Sequence, residues 1–145
     1  MSGFTLVELL VVIAILGVML ALIGVAARPV SPATHAHGAA QEISGALRAA
    51  RGAALMSNRS VDFALDLAPP GYHWGKQSPR RLPQDIKLAL MTSREQVVTE
   101  NKGRIRFDPD GSSSGGRVSI SGGNQIWIVG VDWLSGRVSV VHAAP

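Results

Sequence analysis

An apolar segment without a charged residue runs from Leu9 to Ala27, directly after Glu8. It is 19 residues long, and about 20 apolar helical residues are enough to cross the roughly 30 Å hydrocarbon core of a bilayer. A cleaved secretory signal would have a basic region in front, but residues 1–3 contain no Lys or Arg. The segment therefore predicts a single transmembrane helix near the N-terminus.

Glu8 places a carboxylate beside this apolar segment. A charge costs about 3 kcal/mol near the centre of a bilayer and less near the interface. Phe4 precedes Glu8 by four positions, so the two share a helix face about 6 Å apart along the axis. If the chain were cut after Gly3, the new amine of Phe4 would be a cation that pairs with Glu8 of the same or a neighbouring chain. Alternatively, Glu8 only extends its carboxylate to the interface, and the sequence leaves both interpretations open.

Prolines interrupt this helix, and a second helix is predicted after them. Pro29 and Pro32 each remove a backbone donor, which predicts a kink or a break in the region between them. Helical periodicity resumes over residues 33–57. We expect its apolar stripe to pack on a sheet; the stripe consists of Ile43, Leu47, Ala50 and Ala54.

From Ser60 onward, apolar and polar residues alternate, which indicates half-buried antiparallel strands. The more continuously apolar segment from Gln125 to Asp132 predicts a central strand. Glycine- and proline-rich turns separate the strands. The chain is therefore expected to have an α+β fold with a helix packed on an antiparallel β-sheet head. The alternating segments are 61–67, 86–90, 104–107, 117–121 and 137–140.

The sequence gives no indication of an enzyme. It has no Cys, no nucleophile elbow, no phosphate-binding glycine loop and no paired carboxylates on a recognisable scaffold. We therefore expect no catalytic activity, no cofactor and no metal.

Two short patterns leave a metal alternative open. His35 and His37 form a His-x-His pair, but a third ligand is missing from the pattern. Asp108, Asp110 and the serines that follow offer calcium ligands, although the spacing lacks the later bidentate acid of an EF-hand. We interpret the second pattern as a Gly/Ser-rich hairpin loop.

Positive charge and tryptophan have ordinary interpretations. The net charge is +4, and scattered arginines are typical of a solvated surface rather than a nucleic-acid site. Trp127 and Trp133 are interpreted as core or sheet-face residues, with an exposed subunit contact as the alternative. The scattered arginines are Arg48, Arg51, Arg80, Arg81, Arg104, Arg106, Arg117 and Arg137.

The N-terminal string resembles the processing motif of type IV pilins and type II secretion pseudopilins at every position. The resemblance implies that a prepilin peptidase cuts between Gly3 and Phe4 and methylates the new amine of Phe4. It also implies that Glu8 aligns an incoming subunit during filament assembly. The matching string is Gly3-Phe4-Thr5-Leu6-Val7-Glu8-Leu9-Leu10.

Two C-terminal strings resemble the GspH/FimT group of this family. Residues 107–120 are similar to its strand-loop-strand signature, and residues 131–138 are similar to its terminal hairpin. Gly136 and Arg137 form the candidate interaction or hairpin motif. The resemblance implies a type IV pilin-like fold, whose long N-terminal helix is kinked or broken near Pro29-Pro32. The implied segments are a leader (1–3), a transmembrane and filament-core helix (4–28), a linker with an amphipathic helix (29–59) and a β-sheet region (60–145).

The resemblance implies a minor pseudopilin of the type II secretion system. Such a protein is a structural subunit of the periplasmic pseudopilus, which helps drive folded exoproteins through the outer-membrane secretin. Its partners would be the other minor pseudopilins, the major pseudopilin, the prepilin peptidase and the inner-membrane secretion platform. It would cross the bacterial inner membrane once, with its C-terminal domain in the periplasm.

The alternative is a FimT-like minor pilin of a type IV pilus that takes part in DNA uptake. DNA-binding members resemble one another in a second arginine two residues after the Gly-Arg pair, where this chain has Ser139. The chain also ends without a cation after Val141. Because DNA affinity comes mainly from cations that neutralise phosphates, the sequence favours secretion, and nucleic acid is not an expected partner.

Overall fold

The computed structural model describes residues 5–26, 30–92, 97–99 and 101–143. The chain divides into two compact units, residues 1–30 and residues 31–145. The first unit contains helix α1 (Leu6–Ala26), and the second contains helix α2 and all of the described strands.

Helix α1 is 21 residues long, and Glu8 is its only charged residue. Thr5 caps its first turn, since the Glu8 amide donates to Thr5 Oγ1 at 3.3 Å and the Leu9 amide donates to the Thr5 carbonyl at 3.2 Å. Its side chains are described from Leu6 to Leu22, and all of these are exposed. Within the described residues, no helix has both the length and the apolar character needed to cross a bilayer.

Helix α2 (Pro32–Ser57) begins where the sequence predicted an interruption. Ser31 is its N-cap, with Ser31 Oγ accepting the Thr34 amide at 3.3 Å, and Pro32 occupies the first turn, where a missing N–H costs nothing. Pro32 therefore starts a helix, whereas Pro29 lies outside the described residues. The predicted apolar stripe is confirmed, because its four members are completely buried: Ile43, Leu47, Ala50 and Ala54.

Nine strands are described, and they form two antiparallel sheets, which confirms the predicted antiparallel head. They are β1 (Val61–Asp66), β2 (Gly71–Trp74), β3 (Arg80–Arg81), β4 (Lys87–Met91), β5 (Val97–Thr99), β6 (Lys102–Phe107), β7 (Gly116–Gly122), β8 (Gln125–Val131) and β9 (Val138–Ala143). The five-stranded sheet has the order β3-β2-β1-β6-β5, and the four-stranded sheet has the order β4-β7-β8-β9. The predicted interior position of β8 is confirmed.

The hydrophobic core lies between α2 and both sheets. Small alanines on α2 allow close approach, and larger side chains come from the strands. Phe63 of β1 stacks on Tyr72 of β2 with ring centroids 5.4 Å apart. The fully buried strand residues include Phe63, Leu65, Ile105 and Phe107 from one sheet and Val118, Ile120 and Val129 from the other.

Tyr72 links the five-stranded sheet to α2, and it should make the free energy of unfolding fall at alkaline pH. Its hydroxyl donates to Glu42 Oε1 at 2.9 Å, and burial, followed by this carboxylate, raises the pKa of Tyr72 to about 12. Because the unfolded phenol ionises near pH ~10, the stabilisation is complete below that pH and is lost as pH rises from about 10 to 12.

The measurement is the free energy of unfolding between pH 8 and 12 for the wild type and for Tyr72→Phe. We expect a steeper fall in the wild type than in the variant over the upper part of this range. The sequence contains a single tyrosine, so no other phenol contributes. Equal pH dependence in the two proteins would contradict the assignment.

Candidate functional site

Glu8 lies in the first turn of α1, where its carboxylate is exposed to solvent. The positive end of the helix dipole favours a carboxylate at this position. Among the residues that the structure describes, its carboxylate has no hydrogen-bond or ion-pair partner. Gly3 and Phe4, the predicted cleavage and methylation residues, lie outside the described residues. The structure therefore leaves the pairing of Phe4 and Glu8 as a prediction.

Thr5 positions Glu8, a role that was not predicted from the sequence. A Thr at the N-cap with a Glu three positions later is the pattern of a capping box. The observed bond from the Glu8 amide to Thr5 Oγ1 is half of that arrangement. The Thr-x-x-Glu pattern of residues 5–8 is visible in the sequence and indicates this cap.

The Asp108–Ser112 loop connects β6 to β7. The Gly111 amide donates to the Asp108 carbonyl at 2.9 Å, and Asp110 Oδ1 accepts the amide and the hydroxyl of Ser112 at 2.9 and 2.6 Å. These hydrogen bonds lower the pKa of the Asp110 carboxyl. The hairpin-loop interpretation is confirmed locally, because an antiparallel bridge pairs Phe107 with Ser113 across the turn. The chain then leaves this pairing, since β6 and β7 belong to different sheets.

The loop of residues 132–137 connects β8 to β9 in a true hairpin, as predicted. Asp132 Oδ1 accepts the amide and the hydroxyl of Ser135 at 2.8 and 2.7 Å. The Ser135 hydrogen bonds, with Arg137 as a smaller contribution, lower the pKa of the Asp132 carboxyl. Gly136 has a φ of 62°, and Arg137 immediately precedes the strand that it was expected to begin.

The two loops meet each other against α2. Arg51 Nε donates to the Gly111 carbonyl at 3.1 Å, and a Cβ atom at Gly136 would collide with that same carbonyl oxygen. Ser113 also joins the two loops, since its amide donates to the Trp133 carbonyl at 2.8 Å and its Oγ donates to the Asp132 carbonyl at 3.0 Å. The two C-terminal segments that resemble the GspH/FimT group therefore pack against each other. This contact was not predicted from the sequence.

Three arginines that we interpreted as scattered lie together at this junction. Arg48 and Arg51 from α2 and Arg137 from the hairpin line a cleft of about 330 Å³, which we name the arginine cleft. Arg48 Nη2 approaches the Val138 carbonyl oxygen at 3.5 Å. The lining of one cleft by three arginines differs from the scattered arrangement that the sequence indicated.

The two histidines of the candidate metal pair have separate contacts. His35 Nδ1 lies 2.8 Å from Asp85 Oδ2, and His37 stacks on Trp127 with ring centroids 4.5 Å apart. In the described part of the chain, no group of three ligands is placed to hold a metal. Trp127 is half-buried on the sheet as expected, whereas Trp133 is exposed.

Two sequence families match this chain. Residues 39–136, from within α2 to the β8–β9 hairpin, match the family described as Type II transport protein GspH. The chain belongs to the GspH family. Residues 1–24 match the prokaryotic N-terminal methylation motif. This membership confirms the predicted resemblance. It also implies association with other pilin-like subunits, and it favours a structural role and an N-terminal membrane anchor with a periplasmic domain.

Individual relatives agree with the family. The type II secretion system protein H of Xanthomonas campestris pv. campestris is 27% identical to this chain over 143 residues. The match covers 95% of this chain and 82% of that protein. The minor pseudopilin EpsH from the type 2 secretion system of Vibrio cholerae has a TM-score of 0.60 at 12% identity, covering 74% of this chain and 97% of that one. The type IV minor pilin FimU of Pseudomonas aeruginosa has a TM-score of 0.55 at 14% identity, covering 72% and 91%. These structures confirm the pilin-like fold.

Proposed function

We propose that this chain is a minor pseudopilin of the type II secretion system. As a structural subunit of the periplasmic pseudopilus, it helps drive folded exoproteins through the outer-membrane secretin. The observation that carries the proposal is the GspH family match over residues 39–136, preceded by the methylation motif over residues 1–24. The type II secretion system protein H of Xanthomonas campestris supports the same system.

The N-terminal segment has two successive environments in this proposal. The segment of residues 4–28, which contains the charge-free sequence from Leu9 to Ala27, first anchors the subunit once in the inner membrane, with the C-terminal domain in the periplasm. After processing, the same residues pack in the core of the filament. The exposed apolar side chains along α1 support this, because a helix that is apolar on every face requires lipid or protein around it.

Processing prepares Glu8 for its role in assembly. The prepilin peptidase cuts between Gly3 and Phe4 and methylates the new amine, which stays cationic. The Glu8 carboxylate then pairs with the Phe4 amine of a neighbouring subunit, after the secretion platform has delivered that subunit. The carboxylate has no other partner among the described residues, and Thr5 fixes the turn that carries it.

Glu8→Gln should weaken assembly without preventing membrane insertion. Loss of one partner of a desolvated charge pair costs about 2 kcal/mol or more, roughly a thirtyfold loss in affinity. The measurement is co-purification of the tagged full-length protein with the major and minor pseudopilins encoded beside it. Secretion of exoproteins by the complemented deletion strain is measured in parallel.

Asp66→Asn is the matched control, since it neutralises a carboxylate that forms a surface ion pair with Lys102 at 3.2 Å. It should co-purify like the wild type. Unchanged co-purification of Glu8→Gln would contradict the pairing. A deletion strain that secretes normally but fails to take up DNA would instead support the FimT-like alternative.

A further inference from the structure

The arginine cleft has unused hydrogen-bond donors. Arg51 Nε donates a hydrogen bond to the Gly111 carbonyl, so this arginine already has a structural role. Arg48 makes only the 3.5 Å contact with the Val138 carbonyl, and the guanidinium of Arg137 donates no hydrogen bond to a described residue. Within the described ranges, no carboxylate forms an ion pair with any of the three.

Several other arginines of the same unit, in contrast, pair with a carboxylate. Arg80 pairs with Glu42 at 3.4 Å, and Arg106 pairs with Asp62 at 2.9 Å. Like charges that line one cleft repel each other, and an anion between them removes this repulsion. Arg137 attracts the Asp132 carboxylate without forming an ion pair with it. The guanidinium donors of Arg48 and Arg137 are therefore largely available, and the cleft is suited to an external anion.

Apolar side chains accompany these cations on the same hairpin. Trp133 and Leu134 are each 67% exposed at the end of the β8–β9 loop. Arg137 also lines a second groove, of about 740 Å³, together with Trp133 and Arg117. Exposed Trp and Arg side chains are enriched at the energetic centres of protein interfaces. We name the arginine cleft together with Trp133 and Leu134 the hairpin patch.

We propose that the hairpin patch binds a neighbouring pseudopilin through a segment that combines a carboxylate side chain with apolar residues. The guanidinium forks of Arg48 and Arg137 hold the carboxylate, for which bidentate arginine pairs have the right geometry. Trp133 and Leu134 cover the adjacent apolar residues and exclude water. This inference rests on the pseudopilin function and assigns it a contact outside the N-terminal helix.

A protein carboxylate fits this surface better than a nucleic acid does. DNA binding requires a row of cations that follows successive phosphates, whereas this cleft is a single concavity of about 330 Å³. The two loops also carry the carboxylates of Asp110 and Asp132. A nucleic acid backbone would bring several phosphates past these carboxylates, whereas a single carboxylate needs only the cleft itself.

The test compares charge reversals in the full-length protein. The wild type, the Arg48→Glu/Arg137→Glu double variant and Arg81→Glu are tagged and co-expressed with the other pilin-like subunits encoded beside the gene. Arg81 is an exposed cation in β3, at the edge of the other sheet, and serves as the matched control. Detergent-solubilised complexes are captured at physiological salt, and each retained subunit is quantified. Capture of a short DNA duplex is measured in parallel.

We expect the double variant to retain at most about a tenth of a subunit that the wild type captures, because a like-charge contact is strongly unfavourable. Arg81→Glu should match the wild type. Capture by the wild type should weaken as salt is raised, because ions screen exposed charges. The Arg48→Gln/Arg137→Gln variant, which adds no repulsion, covers the case in which charge reversal impairs folding, and it should also lose the subunit.

Equal capture by the wild type and by a folded double variant would overturn the hairpin patch while leaving the pseudopilin function in place. An equal loss in Arg81→Glu would also overturn it, since only net charge would then matter. Arginine-dependent capture of DNA without arginine-dependent capture of a subunit would replace the protein partner by nucleic acid. Failure of the wild type to capture any pilin-like subunit would overturn both the proposed function and this contact.

Discussion

Gly3→Val is expected to abolish N-terminal processing and thus leave the protein out of the filament. A residue without a side chain at the scissile bond permits close approach of the backbone to the peptidase, and a branched side chain removes that access. Without cleavage, Phe4 keeps an uncharged peptide nitrogen and offers no cation to the acidic side chain of a neighbouring subunit. The measurement is the intact mass of the membrane-extracted protein, co-expressed with its prepilin peptidase.

The wild type should lose residues 1–3 and gain one methyl group at Phe4. Ser2→Ala is the control, because it changes the neighbouring leader position without altering Gly3, and its product should have the wild-type mass. A processed and methylated Gly3→Val product would contradict the cleavage assignment.

Gly136→Val is expected to destabilise the unit of residues 31–145 by about 3 kcal/mol or more. A left-handed φ of 62° costs a branched residue about 1–3 kcal/mol. In addition, the new side chain would collide with the Gly111 carbonyl and approach Arg51 Nε, which lies only 2.8 Å from the Cβ position. Separation of the two loops would also disrupt the arginine cleft. Thermal unfolding of the detergent-solubilised protein measures the effect, for which we expect a Tm about 10 °C lower.

Gly45→Ala is a control of opposite sign. Gly45 is exposed on α2, and its Cβ position has nothing within 4 Å, so alanine should stabilise the helix by up to about 1 kcal/mol. A Gly136→Val protein as stable as the wild type would show that the loops move apart without cost, contrary to the packing observed here.

Regular periodicity made most of the fold predictable. The stripe of Ile43 and Leu47 identified the buried face of α2, and alternation identified β1, because both patterns follow directly from backbone geometry. Shorter elements lack this signal. The short segments β2 and β3 are strands only because a neighbouring strand supplies their hydrogen-bond partners. That neighbour is β1 for Gly71–Trp74 and β2 for Arg80–Arg81.

The division into two sheets depends on pairing, which the strand pattern does not contain. The Asp108–Ser112 loop was interpreted as a hairpin, since turn residues separate two alternating segments. In the structure, β6 pairs with β1 and β7 pairs with β8, so the loop passes from one sheet to the other. Alternation records which face of a strand is buried and leaves its neighbours unspecified.

The proposed processing and pairing motif at the N-terminus is predicted by the sequence alone. Glu8, the apolar segment behind it and Gly3-Phe4 in front of it are close together in the chain, so their spacing is enough to recognise the motif. The arginine cleft required the tertiary structure. Ninety positions separate Arg48 from Val138, and only the packing of α2 against both loops brings Arg48, Arg51 and Arg137 together. The periodicity of the sequence encodes local secondary structure. A site built from distant segments forms only after the long-range contacts of the fold bring those segments together.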